Sequence, residues 1–593
     1  MTYPLVIQKQ TSGWQYKVVQ ALNGGLNTSA RDEVIPDSDL LQCDGVVIKK
    51  QRLEIDTGYH DFGSTVLGTP QLDFQFFRRD GSSELVLITT ESVYTYAPSH
   101  TQWQYLASAT HTTTNNTASA GATSIPVASN SGFSNGDKIG ITLDDGSQYQ
   151  GTCTGTTTGH ITISPGIPVG RSVINGAQVR KAVILAGDLD HQVSITQVPS
   201  NDWLVFTNGL DAPMYYDGAS VQSVPNLPNS LTTCKAVAVY NACLFLLNTE
   251  ESGTEFPQRI RRSDSGNPAE WASGIAGFDD LLDSADVILG AEIMGPYLIV
   301  YRERSIVRGS FVNTAGITYN WETTVVGEGA VSTQSIVDLN EQHLIFCNAG
   351  VYAYTGGYDL DSVGDKVFYQ IYSSEGDLDT DNKVRTFAFY VEELDEAWFF
   401  YPSLNPDAPI VLLRFNVGDG SWSRRVFADP FVGYGFYQTL TARRWIDMVG
   451  SWAVQTSRWN SRSASAGSPT THLMSSAVNM VMEYDYSQAT DNGTPVQVQI
   501  VTKDFFEADY SVRFDALDLY MKGTDILVEY STDSGATYNT LGTVTSTALQ
   551  VFTFYSQQIC DKIRIRISTN SQGFQFNWLG LSYRYESPYR SVS

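Results

Sequence analysis

Paired cysteines, long apolar runs and basic residues are all scarce in this sequence. The six cysteines include no C-x-x-C pair, and several stand in strand-like apolar runs such as Ala242-Cys243-Leu244-Phe245, which predicts free buried thiols. No stretch approaches the roughly 18 apolar residues of a membrane-spanning helix, and the N-terminus lacks the apolar core of a signal peptide. These absences predict a soluble chain made in a cytosol, with no stable membrane insertion.

Basic residues are outnumbered, with 37 Lys and Arg against 63 Asp and Glu, which gives a formal net charge of −26. Such a surface repels phosphate and argues against tight, non-specific binding of nucleic acid. A conduit through which DNA slides without sticking would, in contrast, suit an acidic lining.

Recognisable catalytic motifs are absent as well. The chain has no nucleotide-binding loop, zinc-ligand cluster, nucleophile elbow or metalloprotease helix, and its seven histidines are scattered. Carboxylate pairs such as Glu392-Glu393 are plentiful, but glycoside hydrolysis needs two carboxylates at a set separation, which one sequence does not reveal. The chain is therefore predicted not to be an enzyme, and no catalytic residue, cofactor or metal ligand is assigned.

One segment looks enzyme-like, and it lies near the C-terminus. Ser531-Thr-Asp533-Ser-Gly535-Ala-Thr537-Tyr538 resembles the Asp-box, S-x-D-x-G-x-T-W, of sialidase propellers. In those proteins the box stabilises a hairpin turn and is not catalytic. Here it occurs once, with Tyr in place of Trp, and we interpret Ser531, Asp533, Gly535 and Thr537 as a turn.

Strand-forming residues are abundant, with 32 Tyr, 27 Phe and 49 Gly beside many Val, Ile and Thr. From about residue 70 an apolar strand, a turn, a second apolar strand and a short aromatic strand recur. The segments 234–247 and 440–485 fit this rhythm loosely, and the clear instances begin at Glu84, Asp202, Tyr297, His343 and Ala397. Blades of short strands at this spacing are typical of a β-propeller, here of six to eight blades. Stacked sandwiches are the rival interpretation, but they do not explain the recurring aromatic strand.

Two further units accompany the propeller in this all-β prediction. A polar linker and small alternating strands over 111–182 predict an inserted β-barrel or sandwich. Alternation in Lys562-Ile-Arg-Ile-Arg-Ile567 predicts a C-terminal β-sandwich of jelly-roll type over 491–593. Residues 1–65 are assigned to an N-terminal arm and first strand, and 66–110 with 183–490 to the propeller.

Two stretches resemble the tail nozzle (tail tubular, or tail stabilisation) proteins of short-tailed bacteriophages. The first is a Gly-Gly-hydrophobic-Asn turn ahead of the first strand. The second is similar to a blade motif of those propellers. The residues that carry the resemblance are Gly24, Gly25 and Asn27 in the first stretch, and Gly327, Ser335, Gly350, Val351, Tyr352 and Gly357 in the second.

The resemblance implies a structural virion protein, assembled in the host cytoplasm and located in the phage tail. It would form a homo-hexameric nozzle below the portal and head-to-tail adaptor, retain the genome, and pass DNA through its lumen without tight binding. Tail fibres or spikes would be further partners. The alternative is a carbohydrate-binding or sialidase-like propeller of a phage tail, acting as a receptor-binding protein or depolymerase.

Overall fold

The structure, a computed structural model, describes residues 13–19, 22–49, 51–314, 317–374, 376–406, 410–438, 471–506 and 510–588. Parts of the predicted arm and most of the loosely fitting segment 440–485 therefore lie outside the described residues. Strands dominate the described part of the chain. Its few helical segments are one short α-helix and four 3₁₀ turns: Phe368–Tyr372, and Pro98–His100, Pro228–Ser230, Asp365–Val367 and Lys383–Arg385.

The centre of the molecule is a β-propeller of seven four-stranded blades, which confirms the predicted fold class. The inner strands of blades 1 to 7 are, in order, Pro70–Phe77, Ser194–Val198, Leu231–Tyr240, Ile288–Met294, Ile336–Asp338, Phe387–Val391 and Phe431–Tyr437. The second strands are Ser83–Thr89, Trp203–Thr207, Cys243–Glu251, Tyr297–Arg302, His343–Phe346, Glu396–Pro402 and Thr471–Ser476. The third strands are Val93–Ala97, Met214–Tyr216, Thr254–Arg262, Ser305–Thr314, Val351–Tyr354, Ile410–Asn416 and Met480–Tyr484. The outer strands are Gln102–Tyr105, Val221–Ser223, Gly277–Asp280, Ile317–Val326, Asp361–Ser362, Trp422–Val426 and Tyr59–Phe62.

Each blade is apolar on both faces because it is packed between two others. In the second strand of blade 4, Leu298 and Val300 pack against blade 3, whereas Ile299 and Tyr301 pack against blade 5. All four side chains are fully buried. Burial of a large apolar side chain contributes roughly 1.5–3 kcal/mol, so the stacked blade faces supply much of the fold's stability.

The ring closes between blade 7 and blade 1. The outer strand of blade 7, Tyr59–Phe62, comes from the N-terminal region that the sequence had assigned to an arm. The inner strands of the two blades also pair in parallel, at Tyr434 with Leu72. Glycine permits this approach, because a Cβ on Gly433 would lie 1.9 Å from the Gln71 carbonyl oxygen.

An inserted β-barrel follows blade 1 and has its own apolar core. Its strands are Ala107–Thr113, Ser124–Pro126, Lys138–Thr142, Gln148–Thr157, His160–Ser164 and Gln178–Ala182. The side chain of Gln148 fixes it to blade 1, since its Oε1 accepts a hydrogen bond of 2.7 Å from the Tyr105 backbone N–H. The barrel is therefore docked on the propeller.

The C-terminal sandwich combines both ends of the chain. In the strand Lys562–Thr569 the alternate residues Ile563, Ile565 and Ile567 are buried, as period-2 alternation predicts. Its sheet continues into blade 6, because Gly25 pairs in parallel with Trp422. The strands of this unit are Gln15–Val19, Gly25–Leu26, Asp39–Asp44, Val46–Lys49, Arg52–Ile55, Val498–Thr502, Phe505–Phe506, Tyr510–Ser531, Asn539–Cys560, Lys562–Thr569 and Gln575–Pro588. A small hairpin, Thr490–Asp491 with Thr494–Pro495, connects it to blade 7.

Two predictions about the chain as a whole can be compared with this fold. All six cysteines are free, as predicted, and five of them are buried. In the described part of the chain, no helix has the length and apolar character needed to cross a membrane.

Candidate functional site

The inner strands surround a channel that widens into a cavity of about 420 Å³ where the inner strands of blades 4 to 7 end. A smaller part of about 140 Å³ lies between the inner strands of blades 1 to 5 and blade 7. Glu292, Ile336 and Tyr434 line both parts. The wide part is lined by four carboxylates, a histidine and several rings, among them Glu292, Asp338, Glu392, Glu393, His472, Phe389, Tyr390, Tyr434 and Phe436. The lining residues of this wide part include no Lys or Arg.

Glu292 projects into the cavity from the inner strand of blade 4. Its side chain is exposed to the cavity but enclosed by the walls of the propeller, and this desolvation raises its pKa to about 7. His343 opposes the rise, and the nearby charge of Asp338 adds to it. Glu292 is therefore a carboxylic acid that is mostly protonated below neutral pH and about half protonated at pH 7.

Asp338 ends the inner strand of blade 5 and has the opposite behaviour. Burial disfavours its ionised form, but hydrogen bonds from His343 and from the backbone N–H of Asn340, at 2.6 Å, outweigh that effect and lower its pKa. His343 is itself fixed, because its Nδ1 lies 2.6 Å from the Tyr301 hydroxyl and its Nε2 lies 3.2 Å from the Ile293 carbonyl oxygen, with the Asp338 carboxylate at 3.5 Å. Asp338 is thus held as a carboxylate.

Aromatic rings form the wall of the cavity on the side of blades 6 and 7. Phe389 stacks on Tyr434 with ring centroids 4.7 Å apart, and Phe436 packs edge-on against Phe389 at 5.7 Å. Burial and then the nearby charge of Glu292 raise the pKa of Tyr434, which places this ring beside the acid. On the far side of Phe436, the Nε2 of His472 lies 2.8 Å from the Glu393 carboxylate.

This arrangement is suited to acid–base chemistry on an uncharged ligand. Glu292 can donate a proton, and Asp338 can stabilise positive charge or activate water. The aromatic wall offers the apolar faces on which a ring-shaped ligand can lie. Among the described residues, no group of His, Cys, Asp and Glu side chains could hold a metal ion.

The residues of the phage-like motifs lie elsewhere. Gly24, Gly25 and Asn27 stand where the N-terminal segment joins blade 6, and the Asn27 amide donates a hydrogen bond of 2.6 Å to Asp39. Ser335 is buried and bonds to the backbone of Ser332. Gly327 follows the outer strand of blade 4, and Gly350, Val351, Tyr352 and Gly357 flank or form the third strand of blade 5. None of these motif residues lines the cavity around Glu292.

The Asp-box-like residues form the turn between the two longest strands, Tyr510–Ser531 and Asn539–Cys560. Asp533 accepts hydrogen bonds from the hydroxyls of Ser531 and Thr537, both at 2.6 Å. The Gly535 N–H donates to the Ser531 hydroxyl at 2.8 Å. These bonds lower the pKa of Asp533 to about 2. Residues 531–537 are far in sequence from the cavity and do not line it.

Sequence reasoning missed Glu292, Asp338 and the aromatic wall. Glu292 stands in an inner-strand run, Gly290-Ala291-Glu292-Ile293, where a single acid gives no motif. One signal was available. Placing an acidic side chain in an enclosed channel costs desolvation free energy, so an acid in such an inner strand is a candidate functional residue.

No family model matches the chain, and no curated protein matches it. Solved structures do. An exo-beta-1,3-galactanase from Phanerochaete chrysosporium with galactose is 9% identical, covering 67% of this chain and 96% of that one with a TM-score of 0.23. A glycoside hydrolase family 43 arabinoxylan arabinofuranohydrolase from Bacillus subtilis with cellotetraose is 10% identical, covering 88% and 96% with a TM-score of 0.19. Apo AztD from Citrobacter koseri is 9% identical, covering 59% and 80% with a TM-score of 0.25.

The predicted tail nozzle function is corrected by this comparison. Two of the solved structures above are of an exo-beta-1,3-galactanase and an arabinofuranohydrolase, and neither is of a tail nozzle protein. The prediction that the chain is not an enzyme is corrected on the same ground. The resemblance to nozzle proteins, and the hexamer, tail partners and virion location that it implied, stay predictions.

Proposed function

We propose that this chain is a carbohydrate-directed β-propeller that binds a neutral glycan at the wide end of its channel and hydrolyses a glycosidic bond there. The observation that carries the proposal is the pair Glu292 and Asp338, two carboxyl groups on neighbouring blades that face one cavity. Their environments shift the two pKa values in opposite directions. Such divergence separates an acid from a base in many enzymes that use paired carboxylates.

Glu292 takes the role of the proton donor. A glycosidic oxygen must be protonated as its bond breaks, and a carboxylic acid with a pKa of about 7 is still about half protonated at neutral pH. Asp338 remains ionised and supplies the negative charge that an oxocarbenium-like transition state requires. His343, which is held by the Tyr301 hydroxyl and the Ile293 carbonyl, lies beside the Asp338 carboxylate.

The lining of the cavity defines the class of glycan. Recognition of a carboxylated sugar, such as a sialic acid, requires cationic side chains, and the wide part of the cavity is lined by carboxylates with no Lys or Arg. The sialidase-like form of the alternative is therefore disfavoured. Tyr390 and Phe436, which are partly exposed, instead provide apolar surface for the C–H faces of neutral sugar rings, and the buried Phe389 supports Phe436 from behind.

The experiment is a hydrolysis screen of neutral, amino and carboxylated oligosaccharides with the full chain and with Glu292→Gln. We expect the wild type to cleave a neutral substrate. Glu292→Gln should bind the same substrate, as measured by calorimetry, without cleaving it. Glu328→Gln is the matched control, because burial also raises the pKa of Glu328 but its side chain lies outside the cavity. If neither protein binds or cleaves any neutral glycan, the proposal is wrong.

A further inference from the structure

The end of the channel opposite the wide cavity is crossed by residues Gly187–Gln192, called the strap below. The strap connects the inserted barrel to the inner strand of blade 2. The Gln192 side chain accepts a hydrogen bond of 3.0 Å from the Gln334 backbone N–H and donates one of 2.8 Å to the Thr386 carbonyl. The Gln334 side chain in turn donates a hydrogen bond of 2.8 Å to the Val193 carbonyl. The strap is therefore bonded directly to the residues that precede the inner strands of blades 5 and 6.

These hydrogen bonds run across the axis of the propeller. In the ring of seven blades, blades 3 and 4 stand between blade 2 and blade 5, and blades 7 and 1 stand between blade 2 and blade 6. Residues at the starts of these inner strands can therefore meet only over the channel. Gln192, Gln334 and Thr386 are all buried, as expected of a closed end.

Two further contacts fix the strap in this position. The Gln71 side chain, at the start of blade 1, donates a hydrogen bond of 2.8 Å to the Asp188 carbonyl. The Arg385 guanidinium, ahead of blade 6, donates one of 2.6 Å to the Asp190 carboxylate. The other end of the channel has an exposed residue, Glu392, in its lining. A ligand therefore enters and leaves at the wide end.

The smaller part of the channel is thus a blind pocket of about 140 Å³. Val193 and Gln334 line it at the closed end, and Glu292 lines both this pocket and the wide cavity. At roughly 10–15 Å³ for each water-sized atom, the blind pocket holds about ten heavy atoms, which is close to the size of one monosaccharide. Its lining includes three hydroxyl-bearing residues, Ser194, Thr196 and Thr333.

We infer that the site cleaves a neutral glycan only at a chain end and releases one monosaccharide at a time. The inference rests on the proposed function, because it takes Glu292 as the acid that protonates the glycosidic oxygen. Glu292 lines both parts of the channel, so a bond whose oxygen meets it has one sugar in the wide cavity and one in the blind pocket. An internal bond has two or more sugars on each side, and Gln192 and Gln334 exclude the second one.

The reaction is an ordinary hydrolysis. The bond between the anomeric carbon and the glycosidic oxygen breaks, and the proton of Glu292 passes to that oxygen. A water molecule supplies a hydroxyl group to the anomeric carbon, and its remaining proton restores the acid. The terminal sugar is then free in the blind pocket, and it leaves through the wide cavity after the shortened chain.

Digestion of linear neutral oligosaccharides of glucose, galactose, xylose and arabinose tests the inference, with mass spectrometry of the earliest products as the measurement. We expect a monosaccharide and a chain one sugar shorter to appear first. Fragments from the middle of the chain at the same early times would overturn the inference and leave the proposed function intact. If no neutral probe is cleaved, the proposed function fails and this inference fails with it.

The double variant Gln192→Ala with Gln334→Ala tests the closure itself. It removes both side chains that cross the axis, so the ratio of disaccharide to monosaccharide among the first products should rise by about ten-fold or more. Gln222→Ala, on the outer strand of blade 2, is the matched control and should keep the wild-type ratio. An unchanged ratio in a folded double variant would overturn the role of the strap. The wild-type products decide the inference where the double variant does not fold.

Discussion

Glu292 and Asp338 face the same cavity from the inner strands of blades 4 and 5, and the charge of Asp338 disfavours ionisation of Glu292. The Asp338 carboxylate helps to raise the pKa of Glu292 to about 7, while His343 and a backbone N–H keep Asp338 ionised. The protonated and the ionised carboxyl are therefore two halves of one electrostatic arrangement. Its effects on the rate of glycan hydrolysis and on the pH dependence of that rate can be measured separately.

Hydrolysis of a neutral glycan should decrease as the pH rises through about 7, because Glu292 loses its proton there. The acidic limb of the pH–rate profile should lie at a pH below the ordinary pKa of an aspartate, since the pKa of Asp338 is lowered. Glu292→Gln should reduce kcat by about 10²–10⁴-fold and remove the basic limb. A pH–rate profile of the wild type and Glu328→Gln that shows no limb near pH 7 would contradict the assignment.

Asp338→Asn should lower the pKa of Glu292, because it removes a negative charge that disfavours ionisation of that acid. The measurement is a titration of the Glu292 carboxyl carbon by NMR in the variant and in the wild type. Asp361→Asn is the control, since Asp361 is exposed on the outer strand of the same blade. An unchanged Glu292 pKa in Asp338→Asn would show that the two groups do not interact.

Most of the propeller could be predicted because each blade repeats one local pattern. The clear instances of the rhythm fall on blades 1, 2, 4, 5 and 6. Of the loosely fitting segments, 234–247 falls on blade 3, and the described end of 440–485 falls on blade 7. Apolar runs such as Leu298–Tyr301 indicate strands that are buried on both faces. The blade number could not be fixed, because Tyr59–Phe62 reaches blade 7 from more than 400 residues away in the sequence, as its pairing of Phe62 with Val481 shows.

The candidate site could not be predicted, because no two of its main residues are close in the sequence. Glu292, Asp338, Phe389 and Phe436 come from four different blades and meet only when the ring closes. Among the residues that line the cavity, only Glu392-Glu393 forms a carboxylate pair in the sequence. The sequence does not show that this pair borders a cavity. The raised pKa of Glu292 is likewise a property of the enclosed channel and not of its sequence neighbours.

Phe436→Ala should weaken binding of a neutral glycan, because the ring forms part of the cavity wall and packs against both Phe389 and His472. Loss of one aromatic contact commonly costs about 0.5–1.5 kcal/mol, which is up to roughly a ten-fold rise in Kd. Calorimetry on the Glu292→Gln background measures binding without turnover. Tyr369→Ala, which removes an exposed ring outside the cavity, should leave Kd unchanged. Equal affinities of the two variants would place the glycan elsewhere.

Asp56→Ala should destabilise the joint between the propeller and the N-terminal segment. Asp56 is 3% exposed and accepts hydrogen bonds from the guanidinium groups of Arg414 and Arg425 and, at 2.5 Å, from the Tyr484 hydroxyl. Removing the carboxylate leaves two buried cations with less compensation, and breaking such a pair typically costs about 3–5 kcal/mol. Denaturant unfolding should show this loss, whereas Asp361→Ala, at an exposed position, should change stability by less than about 0.5 kcal/mol.

The pH dependence of unfolding identifies the charge on Asp56 as the cause. Burial disfavours its ionisation, but Arg414 and Arg425 outweigh burial and lower its pKa to about 2. Its contribution to stability is therefore present above the unfolded pKa near 3.8 and is lost as the pH falls towards 2. Asp491, which also binds Arg425, has a pKa raised to about 6 by burial, so it titrates in a separate range. Between pH 4 and pH 2 the wild type should lose stability relative to Asp56→Ala. Parallel curves for the two proteins over that interval would show that the ionised Asp56 does not stabilise this joint.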